Sequence, residues 1–475
     1  MTEKVDVIVV GVGTGGEDVS LQLLDAGLSV VGIEPRLIGG ECPYWACLPT
    51  KFLVRNANLI QEARRADGLV GKVTVEPSWE LVSERLRAQV TGAWDNTYAK
   101  PRFESRGGRV VDGWARLVGP DSVEVNGETI VADRAIVLAT GSMPAIPPIP
   151  GLDAIDYWTT HDAIAAKVLP ASLTILGGGA VGCELGQVFS RFGVEVTIVE
   201  AADHLLPTEE PEASSLVEEA LMAEGVTLRR GVRATAVASD GISVGVELSD
   251  GTTARSERLL IATGRHVDTT GLHLDAAGVT TTNGFIDIDD HMRATEGIWA
   301  IGDVTGKSLF THVAMYQALI AVEDILGLEP APADYRTIPR ATFTDPEVGS
   351  VGITESMARA TGIDVDVVVK QVPATFRGWL HQTGNVGLIK LVADREHGVL
   401  VGATAVGPNG AEVLGMLASA VHHQVRAADL ARMIYAFPTF WGGVGEALGA
   451  GGRGATTVLD PDTAPLVARV ARAPR

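Results

Sequence analysis

Cysteine is scarce in this sequence, with three among 475 residues. These are too few for a disulfide framework, and two of them, Cys42 and Cys47, lie in one short segment, while Cys183 stands alone. Because no further cysteine or histidine stands near the pair at ligand spacing, a zinc site is disfavoured and we expect no metal. In a reducing compartment, such a close pair of thiols is more often catalytic than structural.

Positive charge and long apolar runs are scarce as well. The chain has 38 basic and 59 acidic residues and a formal net charge of -21, so its surface repels nucleic acid and anionic membranes. No uncharged apolar run reaches the roughly 18 residues that span a bilayer, and residues 1–6 lack the features of a signal peptide. We therefore expect a cytoplasmic protein of two or three domains that binds neither nucleic acid nor membrane.

A complete dinucleotide-binding pattern begins near the N-terminus. Residues 5–10 form an apolar, β-branched run that predicts a buried parallel strand. A glycine-rich turn, a helical pattern over residues 17–26 and a second strand over residues 29–33 follow. The first glycine permits a tight turn, the second admits a pyrophosphate, the third lets the helix pack, and the acid binds a ribose. These residues are Gly11, Gly13, Gly16 and Glu34.

The same pattern recurs in the middle of the chain, between strands predicted over residues 173–176 and 195–199. Its residues are Gly177, Gly179, Gly182 and Glu200. Two complete units predict two Rossmann-like folds and two bound dinucleotides. In a redox enzyme the simplest pair is a flavin held permanently and a nicotinamide bound transiently.

Glu200 bears on which nicotinamide is used. A carboxylate at this position accepts hydrogen bonds from a free ribose 2′-hydroxyl and repels a 2′-phosphate. The next residues, 201–205, contain no arginine that could hold such a phosphate. We therefore predict that NAD(H) is preferred over NADP(H).

The segment from Gly39 to Lys51, which reads GGECPYWACLPTK, closely resembles the redox segment of the pyridine nucleotide-disulfide oxidoreductases. That family includes dihydrolipoamide dehydrogenase, glutathione reductase and mercuric reductase. Further family-like segments follow in order over residues 139–142, 262–265, 295–303 and 341–352. The resemblance implies additional cofactor-binding residues, namely Gly40, Lys51, Thr140, Gly141, Asp303, His312, Gly264 and Arg265.

The resemblance also implies an α/β fold, in which two Rossmann-like dinucleotide-binding domains are joined to a C-terminal α+β dimerisation domain. We expect an FAD-binding domain over residues 1–152 and 269–336, an NAD(P)-binding domain over 153–268, and the dimerisation domain over 337–475. A homodimer is expected, because in this family the partner's C-terminal domain completes each active site. Gly451 to Gly454 predict a flexible link in the tail.

The family mechanism assigns roles to individual residues. Hydride from NADH would reduce FAD, the flavin would attack the sulfur of Cys47, and Cys42 would be the outer thiol that exchanges with a small-molecule acceptor. A helix beginning near Cys47 could favour its thiolate. Lys51 would lie near the flavin and pair with Glu184, whereas Cys183 is interpreted as a packing residue.

The chain departs from the family at its proton shuttle. Dithiol–disulfide members carry a His-Pro-Thr-x-x-Glu motif near the C-terminus, but here Phe437 replaces the histidine and Gly442 the glutamate. Phenylalanine cannot transfer a proton, and general acid–base catalysis is typically worth about 10²–10⁴ in rate. We therefore expect poor turnover of lipoamide or glutathione disulfide.

Aromatic residues also occupy the loop between the cysteines, where Tyr44 and Trp45 replace the small or polar residues usual in the family. With Phe437 and its aromatic neighbours they could form an apolar lid over Cys42, or they could belong to the subunit interface. Mercury is disfavoured as a substrate because no cysteine follows Cys183. The ketone carboxylase branch of the family also has phenylalanine at the acid position, although Gly442 does not match its partner residue.

Three functions remain open, in decreasing order of preference. The first is an NADH-dependent disulfide reductase with an atypical, hydrophobic acceptor. The second is an enzyme that reduces quinones or oxygen directly at the flavin. A further enzymatic alternative is carbanion chemistry, as in the ketone carboxylase branch. The third is a flavoprotein that serves mainly as a binding partner or redox sensor.

Overall fold

The computed structural model describes residues 3–449, and its first part is a parallel sheet flanked by helices. β1 has β2 on one side and β6 on the other, all three parallel, and the four residues 7–10 of β1 are almost completely buried. The strands are β1 (Glu3–Val10), β2 (Val30–Ile33), β3 (Arg109–Val111), β4 (Ala115–Gly119), β5 (Ser122–Val125), β6 (Glu128–Leu138) and β7 (Met143–Pro144). The helices are α1 (Thr14–Asp25), α2 (Glu41–Tyr44), α3 (Cys47–Ala66), α4 (Trp79–Arg85) and α5 (Ala99–Glu104).

A second parallel sheet follows, with strand order β10-β9-β8-β14, and a three-stranded antiparallel sheet, β11-β12-β13, packs beside it. The strands of these two sheets are β8 (Ser172–Leu176), β9 (Glu195–Val199), β10 (Thr227–Arg229), β11 (Ala234–Ser239), β12 (Val244–Leu248), β13 (Thr253–Ser256) and β14 (Arg258–Ile261). The helices are α6 (Thr160–Ala165), α7 (Ala180–Arg191) and α8 (Pro211–Ala223). α6 starts at a capping box of Thr159 and Asp162, which satisfies two free N–H groups.

The chain then returns to the first sheet, which is extended in the order β18-β19-β6-β1-β2-β3. The elements of this return are β15 (Arg265–His266), β16 (Thr281–Thr282), β17 (Phe285–Ile286), β18 (Arg293–Thr295), β19 (Ile298–Ala300) and α9 (Thr311–Ile325). β19 pairs in parallel with β6, and α9 packs on α1. The second nucleotide fold is therefore inserted into the first, as the sequence predicts.

The last part is a five-stranded antiparallel sheet of order β20-β21-β24-β23-β22. Its strands are β20 (Arg340–Thr342), β21 (Glu347–Gly352), β22 (Val365–Gln371), β23 (Leu388–Asp394) and β24 (Leu400–Gly407). Its helices are α10 (Glu355–Ala360), α11 (Phe376–His381), α12 (Gly410–His422), α13 (Ala427–Leu430) and α14 (Gly442–Ala447). The predicted fold class, two Rossmann-like units and a C-terminal α+β unit, is confirmed. The link predicted at 451–454 lies outside the described residues.

Buried ion pairs join the second nucleotide fold to the C-terminal part. Arg191 at the end of α7 is almost fully buried, and its guanidinium contacts Glu224 at 2.7 Å and Asp345 at 2.8 Å. Lys390 of β23 is equally buried and reaches Glu210 at 3.0 Å and Glu212 at 2.8 Å. Breaking a buried pair by removing one partner typically costs about 3–5 kcal/mol, so these contacts resist relative movement of the parts. Among residues 3–449, no helix has both the length and the apolar character to cross a membrane.

Candidate active site

The two cysteines lie at the junction of two helices. Cys42 is in the single turn of α2, and Cys47 is the first residue of the 20-residue helix α3. Both are partly buried free thiols, and the sulfur of Cys47 lies 3.4 Å from the hydroxyl oxygen of Thr311 at the start of α9. The predicted helix at Cys47 is therefore present, and a thiol at the first position of a helix is close to its free N–H groups and the positive end of its dipole.

The surroundings make the two thiols unequal. The hydrogen bond from Cys42 lowers the pKa of Cys47 to about 6 against the effect of burial, and the Thr311 hydroxyl and the charge of Lys51 act in the same direction. The same hydrogen bond and burial raise the pKa of Cys42. These opposite shifts of pKa favour Cys47 as the thiolate of the pair and Cys42 as the thiol.

Lys51 lies one turn into α3 and contacts Glu184 of α7. Its Nζ is 2.8 Å from one carboxylate oxygen and 3.0 Å from the other, and the Glu184 side chain is 2% exposed. Glu184 also accepts a hydrogen bond from the backbone N–H of Phe343, at 2.9 Å. The structure thus brings together the two residues that the resemblance pairs, next to the cysteines.

The aromatic residue between the cysteines is held inside this chain. Trp45 stacks on Trp94 at 5.1 Å and on His161 at 4.6 Å between ring centroids. The indole N–H of Trp94 donates to the Tyr44 carbonyl at 3.1 Å. Among the described residues, Trp45 therefore packs in an intrachain stack, and the lid and the subunit interface expected from the sequence stay predictions.

Two glycines of the first motif stand where no side chain fits. A Cβ on Gly11 would lie 2.5 Å from the Ala139 carbonyl oxygen, and a Cβ on Gly16 would lie 2.0 Å from the Gly11 carbonyl oxygen. Gly13 has more space, because the nearest atom to its Cβ would be the Gly40 Cα at 3.9 Å. The middle glycine thus leaves the backbone open to an approaching phosphate at the helix start.

Glu34 and Thr140 border the same motif. The carboxylate of Glu34 accepts hydrogen bonds from the backbone N–H groups of Val12 and Arg36, both at 2.9 Å, while burial raises its pKa. The hydroxyl of Thr140 is buried, and among residues 3–449 it has no hydrogen-bond partner. A bound dinucleotide would supply that partner, so these residues fit the adenosine and phosphate end of FAD.

Asp303 forms a polar cluster at the other side of this fold. Its carboxylate accepts a hydrogen bond from Ser142 and lies 3.7 Å from Arg265, while burial raises its pKa. Arg265 also donates to the Ser142 carbonyl at 2.6 Å and to Glu41 at 3.2 Å. Arg265 was predicted only as a cofactor-binding residue. It lies between the carboxylates of Asp303 and Glu41, the residue before Cys42.

The remaining predicted residues of this part occupy turns and the start of α9. His312 lies with its Nε2 3.0 Å from the Pro339 carbonyl, and burial lowers its pKa. Gly40 immediately precedes α2, and Gly141 and Gly264 follow β6 and β14. Gly40, Gly141 and Gly264 have positive φ angles of 67°, 68° and 118°.

The second motif repeats the geometry of the first. A Cβ on Gly177 would lie 2.3 Å from the Ala262 carbonyl oxygen, and one on Gly182 would lie 1.9 Å from the Gly177 carbonyl oxygen. Around Gly179 no atom lies within 4 Å of the added Cβ. The carboxylate of Glu200 accepts hydrogen bonds from the N–H groups of Gly178 at 2.6 Å and Ala202 at 2.7 Å. These residues fit a second dinucleotide.

Phe437 lies apart from these residues within the single chain. It is 72% exposed and makes an edge contact with Phe376, at 5.0 Å between ring centroids. Glu446, one helical turn beyond Gly442 in α14, accepts a weak hydrogen bond from the Phe376 N–H at 3.2 Å. The predicted proton-shuttle position thus carries an exposed apolar ring on the C-terminal unit.

Several residues of the site were not predicted from the sequence. Thr311 hydrogen-bonds to Cys47, the Thr14 hydroxyl donates to the Gly39 carbonyl at 3.2 Å, and Ser142 links Asp303 to Arg265. Two of these residues lie beside predicted ones: Thr311 is next to His312, and Ser142 is in the segment after β6. Their position in the sequence could therefore have identified them as candidate site residues. His161 and Trp94 belong to no motif and could be found only from the fold.

The match to known families covers nearly the whole chain. The pyridine nucleotide-disulphide oxidoreductase model matches residues 5–318, and the dimerisation domain of the same family matches residues 338–448. With the paired nucleotide motifs and the cysteine pair, the match defines a flavin-dependent oxidoreductase that uses a pyridine nucleotide. The chain belongs to the pyridine nucleotide-disulphide oxidoreductase family.

Individual proteins that are similar to this chain support the same family assignment. Dihydrolipoyl dehydrogenase of Mycobacterium tuberculosis (strain ATCC 25618 / H37Rv) is 36% identical over 451 residues, which are 91% of this chain and 95% of that protein. The Bacillus subtilis (strain 168) dihydrolipoyl dehydrogenase is 32% identical over 469 residues, 94% and 98% of the two chains. LpdA from Mycobacterium tuberculosis is structurally similar, with a TM-score of 0.84, 27% identity and coverage of 94% and 99%. The HOCl-induced flavoprotein disulfide reductase RclA from Escherichia coli, solved as a Cu(II) complex, has a TM-score of 0.82, 27% identity and coverage of 93% and 98%.

The charge of Lys51 should contribute to the low pKa of Cys47. We predict that the double variant Lys51→Met/Glu184→Gln, which removes the ion pair without leaving an unpaired buried carboxylate, raises the pKa of Cys47 by roughly one unit. The measurement is the pH dependence of Cys47 alkylation in the reduced protein, followed by mass spectrometry. Lys100→Met, which removes a surface ion pair with Asp112, is the control; an unchanged Cys47 pKa in the double variant would contradict the assignment.

Proposed function

We propose that this protein is an NADH-dependent reductase, which passes electrons through FAD to a disulfide formed by Cys42 and Cys47 and then to an acceptor other than free lipoamide or glutathione disulfide. The observation that carries the proposal is the thiol pair beside the Lys51–Glu184 ion pair, with a Cys47 thiolate favoured at neutral pH. The acceptor differs because Phe437 cannot transfer a proton.

The cofactor assignments follow from the two glycine motifs. Gly11, Gly13, Gly16, Glu34 and Thr140 are proposed to hold the adenosine diphosphate part of FAD. The residues proposed to approach the rest of that cofactor are Gly40, Lys51, Gly141, Asp303, Arg265 and His312, and those proposed for the nicotinamide nucleotide are Gly177, Gly179, Gly182, Glu200 and Gly264. When bound, FAD supplies acceptance of hydride from NADH and two-electron reduction of the disulfide.

The chain's own residues then handle the sulfur chemistry. After the disulfide is reduced, Cys47 remains as a thiolate, stabilised by Lys51, Thr311 and the start of α3, and Cys42 keeps a proton. Cys42 is the outer thiol: once deprotonated it attacks one sulfur of an acceptor disulfide, whose S–S bond breaks and releases the first thiolate. Cys47 then attacks the Cys42 sulfur of the mixed disulfide, which releases the second thiolate and restores the Cys42–Cys47 disulfide. The proton from Cys42 leaves with the product or with water.

The subunit arrangement completes the proposal. Residues 338–448 match the family's dimerisation domain, and Phe437 is exposed on that unit. We propose a homodimer, located in the cytoplasm, in which Phe437 of one subunit covers the thiol pair of the other. The domain limits are proposed at residues 152, 268 and 336. Such an apolar cover favours a hydrophobic acceptor.

A second candidate is direct reduction of quinones or oxygen at the flavin. The exposed ring of Phe437 favours it, because a reaction at the flavin needs no histidine at that position. In this alternative the cysteines store electrons without contacting the acceptor. The two candidates differ in whether Cys42 is required.

Glu200 should determine the nicotinamide preference. We predict that the wild-type protein prefers NADH and that Glu200→Gln raises the ratio of kcat/KM for NADPH to that for NADH by about tenfold, because it removes a charge repulsion worth roughly 1–4 kcal/mol. Steady-state kinetics with both nucleotides is the measurement, and Glu200→Asp, which keeps the charge, is the control. A wild-type preference for NADPH of tenfold or more would overturn the assignment.

Cys42 should separate the two candidate functions. We predict that Cys42→Ser lowers NADH-dependent reduction of an aromatic disulfide by at least about 10²-fold, because the serine hydroxyl is not ionised at neutral pH and cannot replace the thiolate. Cys183→Ala is the control and should stay within about twofold, since the buried Cys183 thiol makes one weak hydrogen bond, to the Gly178 carbonyl at 3.2 Å. Full disulfide reductase activity in Cys42→Ser would contradict the proposed disulfide reductase. Retained quinone reductase activity in the same variant would support direct reduction at the flavin.

A further inference from the structure

A clamp formed by Glu41, Trp45, Trp94 and His161 holds the segment that carries the outer thiol. His161 Nε2 lies 3.0 Å from both carboxylate oxygens of Glu41. The imidazole ring stacks on Trp45 with 21° between the planes, and Trp45 stacks in turn on Trp94 with 13°. Arg87 covers this last ring at 4.7 Å. Rings stacked on both faces leave Trp45 little freedom.

His161 is the member of the clamp that comes from another part of the chain. It lies in α6, beside the second nucleotide fold, and is 120 residues from Glu41 in sequence. Its two contacts bracket the outer thiol, because Glu41 directly precedes Cys42 and Trp45 follows three residues later. Residues three or four apart in a helical turn lie on neighbouring positions. A single imidazole thus fixes the α2 turn at both ends.

Charge strengthens the contact to Glu41. Burial acts to raise the pKa of Glu41, but the hydrogen bond from His161 and the charges of His161 and Arg265 hold it below its usual value. Arg265 lies 3.2 Å from the same carboxylate. Hydrogen bonds to a charged group are roughly twice as strong as those between neutral groups, so the ionised Glu41 anchors the turn.

We propose that His161 is a positioning residue for the outer thiol: through Glu41 and Trp45 it keeps Cys42 within hydrogen-bond reach of Cys47. The inference rests on the proposed function, because it concerns the thiol pair of that reaction. His161 and Glu41 form a histidine–carboxylate pair within one subunit, next to Cys42. The family's histidine–glutamate pair, which acts across the subunit interface, is absent here because Phe437 replaces its histidine. His161 orients the thiol and does not touch it.

The consequence is measurable at Cys47. The largest single cause of its low pKa is the hydrogen bond from Cys42, so a displaced Cys42 raises that pKa. The other groups that face the pair are Thr311 and Lys51, and beyond them the charged groups are Glu184, Glu41, Arg265 and Asp303. Changing His161 removes none of the contacts described for Thr311, Lys51 and Glu184, whereas it takes a partner from Glu41.

Two substitutions each remove one of the contacts. His161→Phe keeps a ring on Trp45 and loses the hydrogen bond to Glu41, whereas His161→Gln keeps a donor for Glu41 and loses the ring. In the two-electron-reduced holoenzyme, in which the cysteines are thiols and the flavin is oxidised, we measure the pH dependence of two signals. These are Cys47 alkylation, followed by mass spectrometry, and the long-wavelength absorbance of a thiolate beside the flavin. We expect the midpoint to rise from about 6 by about one unit in each variant, and further in His161→Ala.

His397→Gln is the matched control. His397 also pairs with a carboxylate, Asp394 at 2.8 Å, but lies on the surface of the C-terminal unit, and its variant should titrate like the wild type. An unchanged midpoint in both His161→Phe and His161→Gln overturns the inference. If His161→Ala does not retain FAD, the other two variants decide. If the wild type shows no thiolate absorbance, the proposed function fails, while the alkylation profile still tests the role of His161.

Discussion

The ion pair between Lys51 and Glu184 is the contact on which the site depends. It joins the helix that begins at Cys47 to the first helix of the second nucleotide fold, and the Glu184 carboxylate is held further by the Phe343 N–H of the C-terminal unit. All three parts of the chain therefore meet at the Glu184 carboxylate. A buried carboxylate needs such partners, because an unpaired charge in the interior is costly. The same pair supplies the positive charge that helps to keep Cys47 ionised.

The residues proposed to bind the two dinucleotides follow the family pattern, whereas the residues proposed to face the electron acceptor differ from it. On the reductive side, the paired glycine motifs, the buried Thr140 hydroxyl and the cluster at Asp303 follow the family pattern. On the acceptor side, an exposed phenylalanine replaces the histidine, and aromatic rings clamp the α2 turn. Phenylalanine cannot transfer a proton, so the position that carries the family's acid–base group lacks that function here. This difference is why the proposed acceptor is not the one usual in the family.

Most of the fold could be predicted from the sequence, since the glycine motifs specify turns that only glycine can form, as at Gly11 and Gly177. The helix of the first motif begins three residues earlier than predicted, at Thr14, because motif glycines lie inside its first turn, where propensity alone argues against a helix. The Lys51–Glu184 contact was available only through the family resemblance. The pairing of His161 with Glu41 was not, because 120 residues separate them and neither belongs to a spaced motif. For Trp45, residue type indicated burial but not which partner would cover it.

The central claim is that the Cys42–Cys47 pair takes part in the redox chemistry, and an anaerobic titration of the purified holoenzyme with NADH tests it most directly. The account predicts that the protein takes up more electrons than the flavin alone can hold and that a long-wavelength absorbance of a thiolate beside the flavin develops. If the flavin simply bleaches after one equivalent of NADH and no such absorbance appears, the cysteines take no part and the account is contradicted.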